Sequence, residues 1–167
     1  MTQPSRMAAY PKLVPALLVV ALLSTPLLPA AARAGGDWND AGIAWQPYEA
    51  GLAAAKQQKK PVLVVFYTDW CPHCQRYSGV FHDPKVVEKS KSFVMIHLNK
   101  DQNADVSKKY APDGEYIPRT YFLSSTGEPD YAIHEQRDQY KYFYDEADPA
   151  GLLRAMDEAL TKLKPKS

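Results

Sequence analysis

Val62-Leu63-Val64-Val65-Phe66-Tyr67-Thr68-Asp69-Trp70-Cys71-Pro72-His73-Cys74 joins an unbroken apolar run to a close pair of cysteines. A β-branched, aliphatic and aromatic run without polar alternation describes a strand buried on both faces. Thr68-Asp69-Trp70 ends that run, and a helix is expected from about Cys71 towards Phe81, with a restart at Asp83-Pro84. Cysteines three residues apart at a helix start bring both sulfurs to one side of the first turn, within reach of a small disulfide ring. Pro72 suits that turn, because the N–H it lacks has no partner there anyway. The free N–H groups and positive end of a helix favour a thiolate over a thiol, and the thiolate is the attacking species in disulfide exchange. His73 adds positive charge when protonated. A stabilised thiolate stabilises the reduced form and makes the disulfide a better oxidant, so Pro-His points to the oxidising side.

Position assigns the roles. Cys71, at the helix end, is expected to be exposed and to act as nucleophile. Cys74 faces inward and is the resolving thiol. The sequence holds only these two cysteines. A Cys-x-x-Cys pair is also half of a zinc site, but zinc takes four ligands and no second pair exists. His73, His82, His97 and His134 would have to converge to complete one, so no metal is expected. No cofactor is expected beyond the Cys71–Cys74 redox pair itself. His97, between Ile96 and Leu98, reads as a satisfied strand residue.

Outward from the motif, Tyr48 to Lys59 reads as a helix with Leu52, Ala53 and Ala55 on one side, stopped by Pro61. Trp38 and Trp45 lie among turn formers in an ordered lead-in. Phe93 to Asn99 is a second strand, Ala104 to Tyr110 a short helix, and Ala111-Pro112-Asp113-Gly114 a turn. Arg119 to Leu123 is a strand, and Tyr131 to His134 is expected to return as its antiparallel partner across the Gly127 turn. Gln136 to Glu146 is tyrosine-rich and has no clear period. Asp148-Pro149 opens a last helix to about Leu163, with an apolar stripe through Leu152, Met156 and Leu160. This order predicts an α/β fold: a mixed central sheet with an antiparallel edge hairpin and helices on both faces.

The chain has 167 residues and a formal net charge of +1. Without a lysine/arginine run to track a phosphate backbone, nucleic acid is excluded as an expected partner. Residues 1–34 carry Arg6 and Lys12, the apolar stretch Leu13–Leu23 and a small-residue end at Ala32-Arg33-Ala34. That layout is expected of a cleaved secretory signal peptide. An uncleaved anchor is the alternative, but the apolar run is about half of the ~20 residues that span a bilayer, and Pro15, Pro26 and Pro29 interrupt it. The expected mature domain, residues 35–167, is a single unit of 17 basic and 19 acidic residues, net −2. An exported protein with one close pair and no long-range staple points to a redox centre in a periplasmic or otherwise extracytoplasmic compartment, without stable membrane insertion after cleavage.

These residues bear a resemblance. Val62 to Tyr67 followed by Trp70-Cys71-Pro72-His73-Cys74 resembles the active-site strand and motif of the thioredoxin superfamily. Ile117-Pro118 sits where that superfamily keeps a cis-proline. Trp45 to Tyr48, Lys60-Pro61, Pro112-Asp113-Gly114 and Tyr116 to Arg119 resemble the small single-domain anterior gradient group of the endoplasmic reticulum. The resemblance implies a thioredoxin fold, a thiol–disulfide oxidoreductase, Cys71, Pro72, His73 and Cys74 as the catalytic motif, and Trp70, Ile117 and Pro118 against the client. It also implies thiol- or disulfide-bearing client proteins and a redox partner that resets the pair. Alternatives are a reductase fed by a membrane donor, or a client-binding module without redox cycling. Two departures stand out. Val65 occupies the position where thioredoxins bury a proton-accepting acid, and the chain lacks the large helical insert of DsbA-type oxidases.

Overall fold

A computed structural model of the chain describes residues 36–163. The expected signal segment, residues 1–34, lies outside them, and so does the start of the expected mature domain. Four strands and five α-helices follow in order: β1 (Trp45–Gln46), α1 (Tyr48–Gln58), β2 (Val62–Tyr67), α2 (Pro72–Ser78), α3 (Pro84–Ser90), β3 (Val94–Asn99), α4 (Ala104–Lys109), β4 (Arg119–Leu123) and α5 (Ala150–Lys162). The helix expected from Cys71 to Phe81 is α2 followed by a 3-10 turn, Gly79–His82, and the chain restarts at α3. Asp83 causes that restart: its Oδ1 accepts from the Lys85 and Val86 N–H groups, and Pro84 occupies the first turn.

The sheet order is β1-β3-β2-β4. β2 runs parallel to β3, from Val62 beside Val94 to Tyr67 beside Asn99, and antiparallel to β4, from Val62 beside Leu123 to Phe66 beside Arg119. The all-apolar run is thus a central strand, buried from Val62 to Phe66. Its alternate residues feed two cores. Leu63 and Val65 pack with Cys74, Tyr77 and Phe81 and with Leu152 and Met156 of α5. Val62, Val64 and Phe66 pack with Ala55 of α1 and with Ile96, Leu98 and Tyr121. Helices therefore cover both faces, and α2 starts where β2 ends, which sets the cysteine motif at the carboxyl end of the sheet.

One expected strand is absent. Tyr131 to His134 forms turns, and a single bridge, Leu123 to Pro129, is all that continues the edge. Asp130 explains the difference. Its Oδ1 accepts from the Ala132 N–H and its carbonyl from the Ile133 N–H, so side-chain turn chemistry overrides the β-branched signal. The antiparallel edge is β4 alone. Conversely, β1 is a two-residue strand within the segment read as a lead-in.

Gly51 fixes how closely α1 approaches the sheet. A Cβ there would lie 2.6 Å from Cδ1 of Ile96, a fully buried side chain with nowhere to move. Glycine to alanine inside a helix normally stabilises by about 1 kcal/mol. Here the overpacking cost, about 1–3 kcal/mol, should exceed that gain. Gly51→Ala should lower the melting temperature in a thermal unfolding scan. A rise would show that α1 tolerates a wider seat.

Candidate active site

Cys71 is the N-cap of α2, and its Sγ accepts from the Cys74 N–H at 3.1 Å. The sulfur thereby occupies the place of a capping oxygen and satisfies one of the free N–H groups at the helix start. Its other neighbour is the Ile117 carbonyl, 4.0 Å from Sγ across 46 residues of chain. The Ile117–Pro118 peptide bond is cis, as expected from position. Pro72, Cys74, Ile117 and Pro118 thus converge on Cys71. Trp70, beside them in sequence, stands 68% exposed with its Nε1 donating to Asp101 at 2.8 Å. Among the described residues, no group of three or more histidine, cysteine or acidic side chains is placed to hold a metal ion.

One expectation requires correction. Cys71 is not exposed: it is 4% accessible, part of the same apolar cluster as Cys74, with Ile117 packed against that cluster. The Cys71 sulfur sits under a roof formed by the cis-proline turn. The His73 ring contacts Glu146 and Arg76. Its Nδ1 lies 2.9 Å from Oε2 of Glu146, whose Oε1 accepts from Nε of Arg76 at 2.6 Å, and Nη2 of Arg76 lies 3.0 Å from the same Nδ1. A single Nδ1 serves one role at a time: protonated it donates to Glu146, bare it accepts from Arg76. A carboxylate therefore answers the charge His73 was expected to offer Cys71. Glu146 falls in the unplaced tyrosine-rich stretch, and no periodic signal marks it.

Burial by itself raises the Glu146 carboxyl. Hydrogen bonds from Arg76 and His73, together with their charge, outweigh it and hold the carboxyl below the usual glutamate range. A depressed folded value contributes stability that is present above the unfolded value of about 4.3 and is lost as pH falls through the folded value. Both basic partners are more than half exposed, so the contribution is about 1 kcal/mol or less. Glu146→Gln should lower stability by that amount at pH 7 and by less at pH 3, measured by urea unfolding. An equal loss at both pH values would mean that the ion pair is not the cause.

Burial also raises the Cys74 thiol well above the usual cysteine range, and its interaction with Cys71 adds to the shift. Cys74 is fully buried and stays protonated at neutral pH. No acid lies on the strand beneath it, because Val65 fills that position within the same core. Tyr67 occupies the next position on that face, its ring 5.4 Å from His97 and stacked at 19°. His97 stacks on Trp45 at 4.7 Å, so it is a packed strand residue, as the sequence suggested.

A thiol pair capping a helix beside a cis-proline, on a β1-β3-β2-β4 sheet covered on both faces, defines a thiol–disulfide oxidoreductase of thioredoxin fold. The chain belongs to the thioredoxin-like family, whose model matches residues 44–125. It is similar to the human anterior gradient protein 2 homolog, 34% identical over 142 residues that span 84% of this chain and 78% of that one. It is also similar to the thiol:disulfide interchange protein DsbD of Vibrio vulnificus, 37% identical over 81 residues, which are 47% of this chain and 14% of that much longer protein. Among solved structures, a thioredoxin from Thermus thermophilus superposes with a TM-score of 0.57 at 23% identity, covering 72% of this chain and 89% of the other.

Proposed function

We propose that this chain exchanges disulfides with client proteins outside the cytoplasm, through Cys71 and Cys74, and works on the oxidising side. The observation that carries the reading is the Cys71 sulfur, held at the N-terminus of α2 by the Cys74 N–H and set 4.0 Å from the Ile117 carbonyl. In the oxidising direction a client thiolate attacks the Cys71–Cys74 disulfide and expels Cys74 as a thiolate. A second client thiolate then attacks the mixed disulfide and expels Cys71. The client loses two electrons and gains a disulfide, and the protein is left as a dithiol for a redox partner to reoxidise. Run in reverse, the same steps reduce a client. Pro72, His73 and the helix end shape the Cys71 environment, while Trp70, Ile117 and Pro118 border the approaching client. The redox pair is its own prosthetic group. The extracytoplasmic placement rests on the signal-like residues 1–34.

One observation favours a second reading, a reductase supplied by a membrane electron donor. Glu146 offsets the charge of His73 and removes part of the case for a strong oxidant. The reduction potential of the pair, measured by equilibration with glutathione, decides between them. A value of about −120 to −180 mV supports a disulfide donor or isomerase, and one near −270 mV supports the reductase.

A further inference from the structure

A cavity of about 290 Å³ opens beside the cysteine motif, lined by His73, Tyr116, Ile117, Arg137, Tyr140 and Phe143. Ile117 belongs both to this cavity and to the immediate surroundings of Cys71, so an occupant of the cavity lies next to the reacting sulfur. A cavity of the same volume, lined by residues such as Lys60, Lys91 and Phe93, lies at the opposite, amino end of β2 and β3.

Three features mark the cavity beside the cysteines as built. Tyr140 is 53% exposed and holds a left-handed backbone, φ 54°. A bulky residue is unfavourable there, and such positions concentrate at functional sites. Its ring meets Tyr116 edge-on at 4.9 Å. Asp113 fastens the two walls together: its Oδ2 accepts from the Tyr116 hydroxyl at 2.8 Å and from the Lys141 N–H at 2.9 Å. The Tyr116 oxygen in turn accepts from the Tyr142 N–H.

Charge specifies the occupant further. Glu146 is taken by His73 and Arg76, Glu135 by Arg154, and Asp145 by the Ala147 and Asp148 N–H groups of its own turn. The Arg137 guanidinium lies over the Phe143 ring at 5.8 Å, and among the described residues no carboxylate is within ion-pair distance of it. The cavity therefore presents aromatic walls and one cation, which acts on the Asp145 carboxylate only from beyond ion-pair distance while that carboxylate is held by its own turn. We propose that it seats a client polypeptide segment with an aromatic side chain beside its cysteine and a carboxylate next to that ring, the ring against the Tyr116–Tyr140 pair and the carboxylate on Arg137. This inference rests on the client-exchange reading above and names the kind of client. Aromatic pairs and a carboxylate fork on arginine are favourable partners for these groups.

The test uses the reduced full chain and synthetic peptides, each carrying one cysteine as its mixed disulfide with 2-mercaptoethanol. The peptides hold Asp-Tyr, Lys-Tyr or Asp-Ala before the cysteine. Each rate is divided by the rate of the same protein with bis(2-hydroxyethyl) disulfide, which is too small to fill the cavity. The Asp-Tyr peptide should exceed the Asp-Ala peptide by about tenfold, a difference one seated ring supplies. It should exceed the Lys-Tyr peptide severalfold, and Arg137→Glu should reverse that preference. Tyr140→Ala should remove most of the aromatic advantage. Equal normalised rates for all three peptides, or an acidic preference that survives Arg137→Glu, would overturn the proposal. No reaction with bis(2-hydroxyethyl) disulfide would instead overturn the redox reading. Binding of fluorescein-labelled cysteine-to-serine peptides, read by anisotropy, would then still rank the three sequences and decide the cavity's role by itself.

Discussion

Cys71→Ser should abolish turnover of protein and small-molecule disulfides, a loss on the order of 10³-fold or more, because a serine hydroxyl cannot form the mixed disulfide. Cys74→Ser should behave differently. It keeps the sulfur that attacks but loses the thiol that releases the client, so mixed disulfides should accumulate at Cys71 and be visible by mass spectrometry under non-reducing conditions. The Cys74 N–H that caps the Cys71 sulfur is backbone and survives the substitution. In the unaltered protein, the release of a trapped client through Cys74 should accelerate about tenfold per pH unit from pH 6 to 8, because burial keeps that thiol protonated in this range and only the thiolate attacks. A flat profile would show that a proton acceptor serves Cys74 despite Val65. Cys71→Ser with undiminished turnover would remove the redox account altogether.

Arg119→Ala should be the most destabilising single change away from the cysteines. Arg119 is fully buried, yet no carboxylate faces it among the described residues. Its Nη1 donates to the carbonyls of Tyr110 at 2.9 Å and Gly114 at 3.0 Å, its Nη2 to the Ser107 hydroxyl, and its guanidinium lies 5.1 Å from the Phe66 ring centroid. Carbonyl dipoles and a ring face thus solvate a buried cation that would otherwise be very costly. Truncation leaves those acceptors orphaned and a large void between β4 and the segment after α4. Together these cost about 3–5 kcal/mol. The melting temperature should fall by roughly 10 °C or more in a domain of this size. Arg119→Lys should recover part of the loss, since an ammonium reaches fewer of these acceptors than the guanidinium fork. Because Arg119 follows Pro118 directly, the same change should slow disulfide exchange by loosening the roof over Cys71. A melting temperature within about 2 °C of the parent would refute the tie.

The centre of the fold was readable because its signals are local. Six apolar residues in a row can only be a strand buried on both faces when a cysteine turn and helix follow immediately, and Val62 to Tyr67 is the central strand. The pairing of Cys71 with the Ile117–Pro118 turn came from likeness to a known motif, and no periodicity would have supplied it. What the sequence concealed is non-local or small. β1 has two residues, too few to show any alternation. Tyr131 to His134 has strand-like residues, but Asp130 turns the backbone before they can pair. The His73–Glu146 contact crosses 73 residues. Arg119 reads as the first residue of a strand, and no local pattern shows the carbonyls that surround it. The Glu146 partner lies far outside any window in which a pattern can be counted, whereas the Asp130 turn is local and overrides the strand signal by side-chain chemistry.

The active site is drawn from parts synthesised far apart in time. The two cysteines close a ring so short that an unfolded chain can form it. Ile117 emerges 46 residues after Cys71, and Glu146 emerges 73 residues after His73. A nascent chain therefore displays both thiols before it owns the roof, the carboxylate or the burial that surround the motif in the fold. Its redox state can be set by the surrounding thiol pool first and revised by the completed fold afterwards.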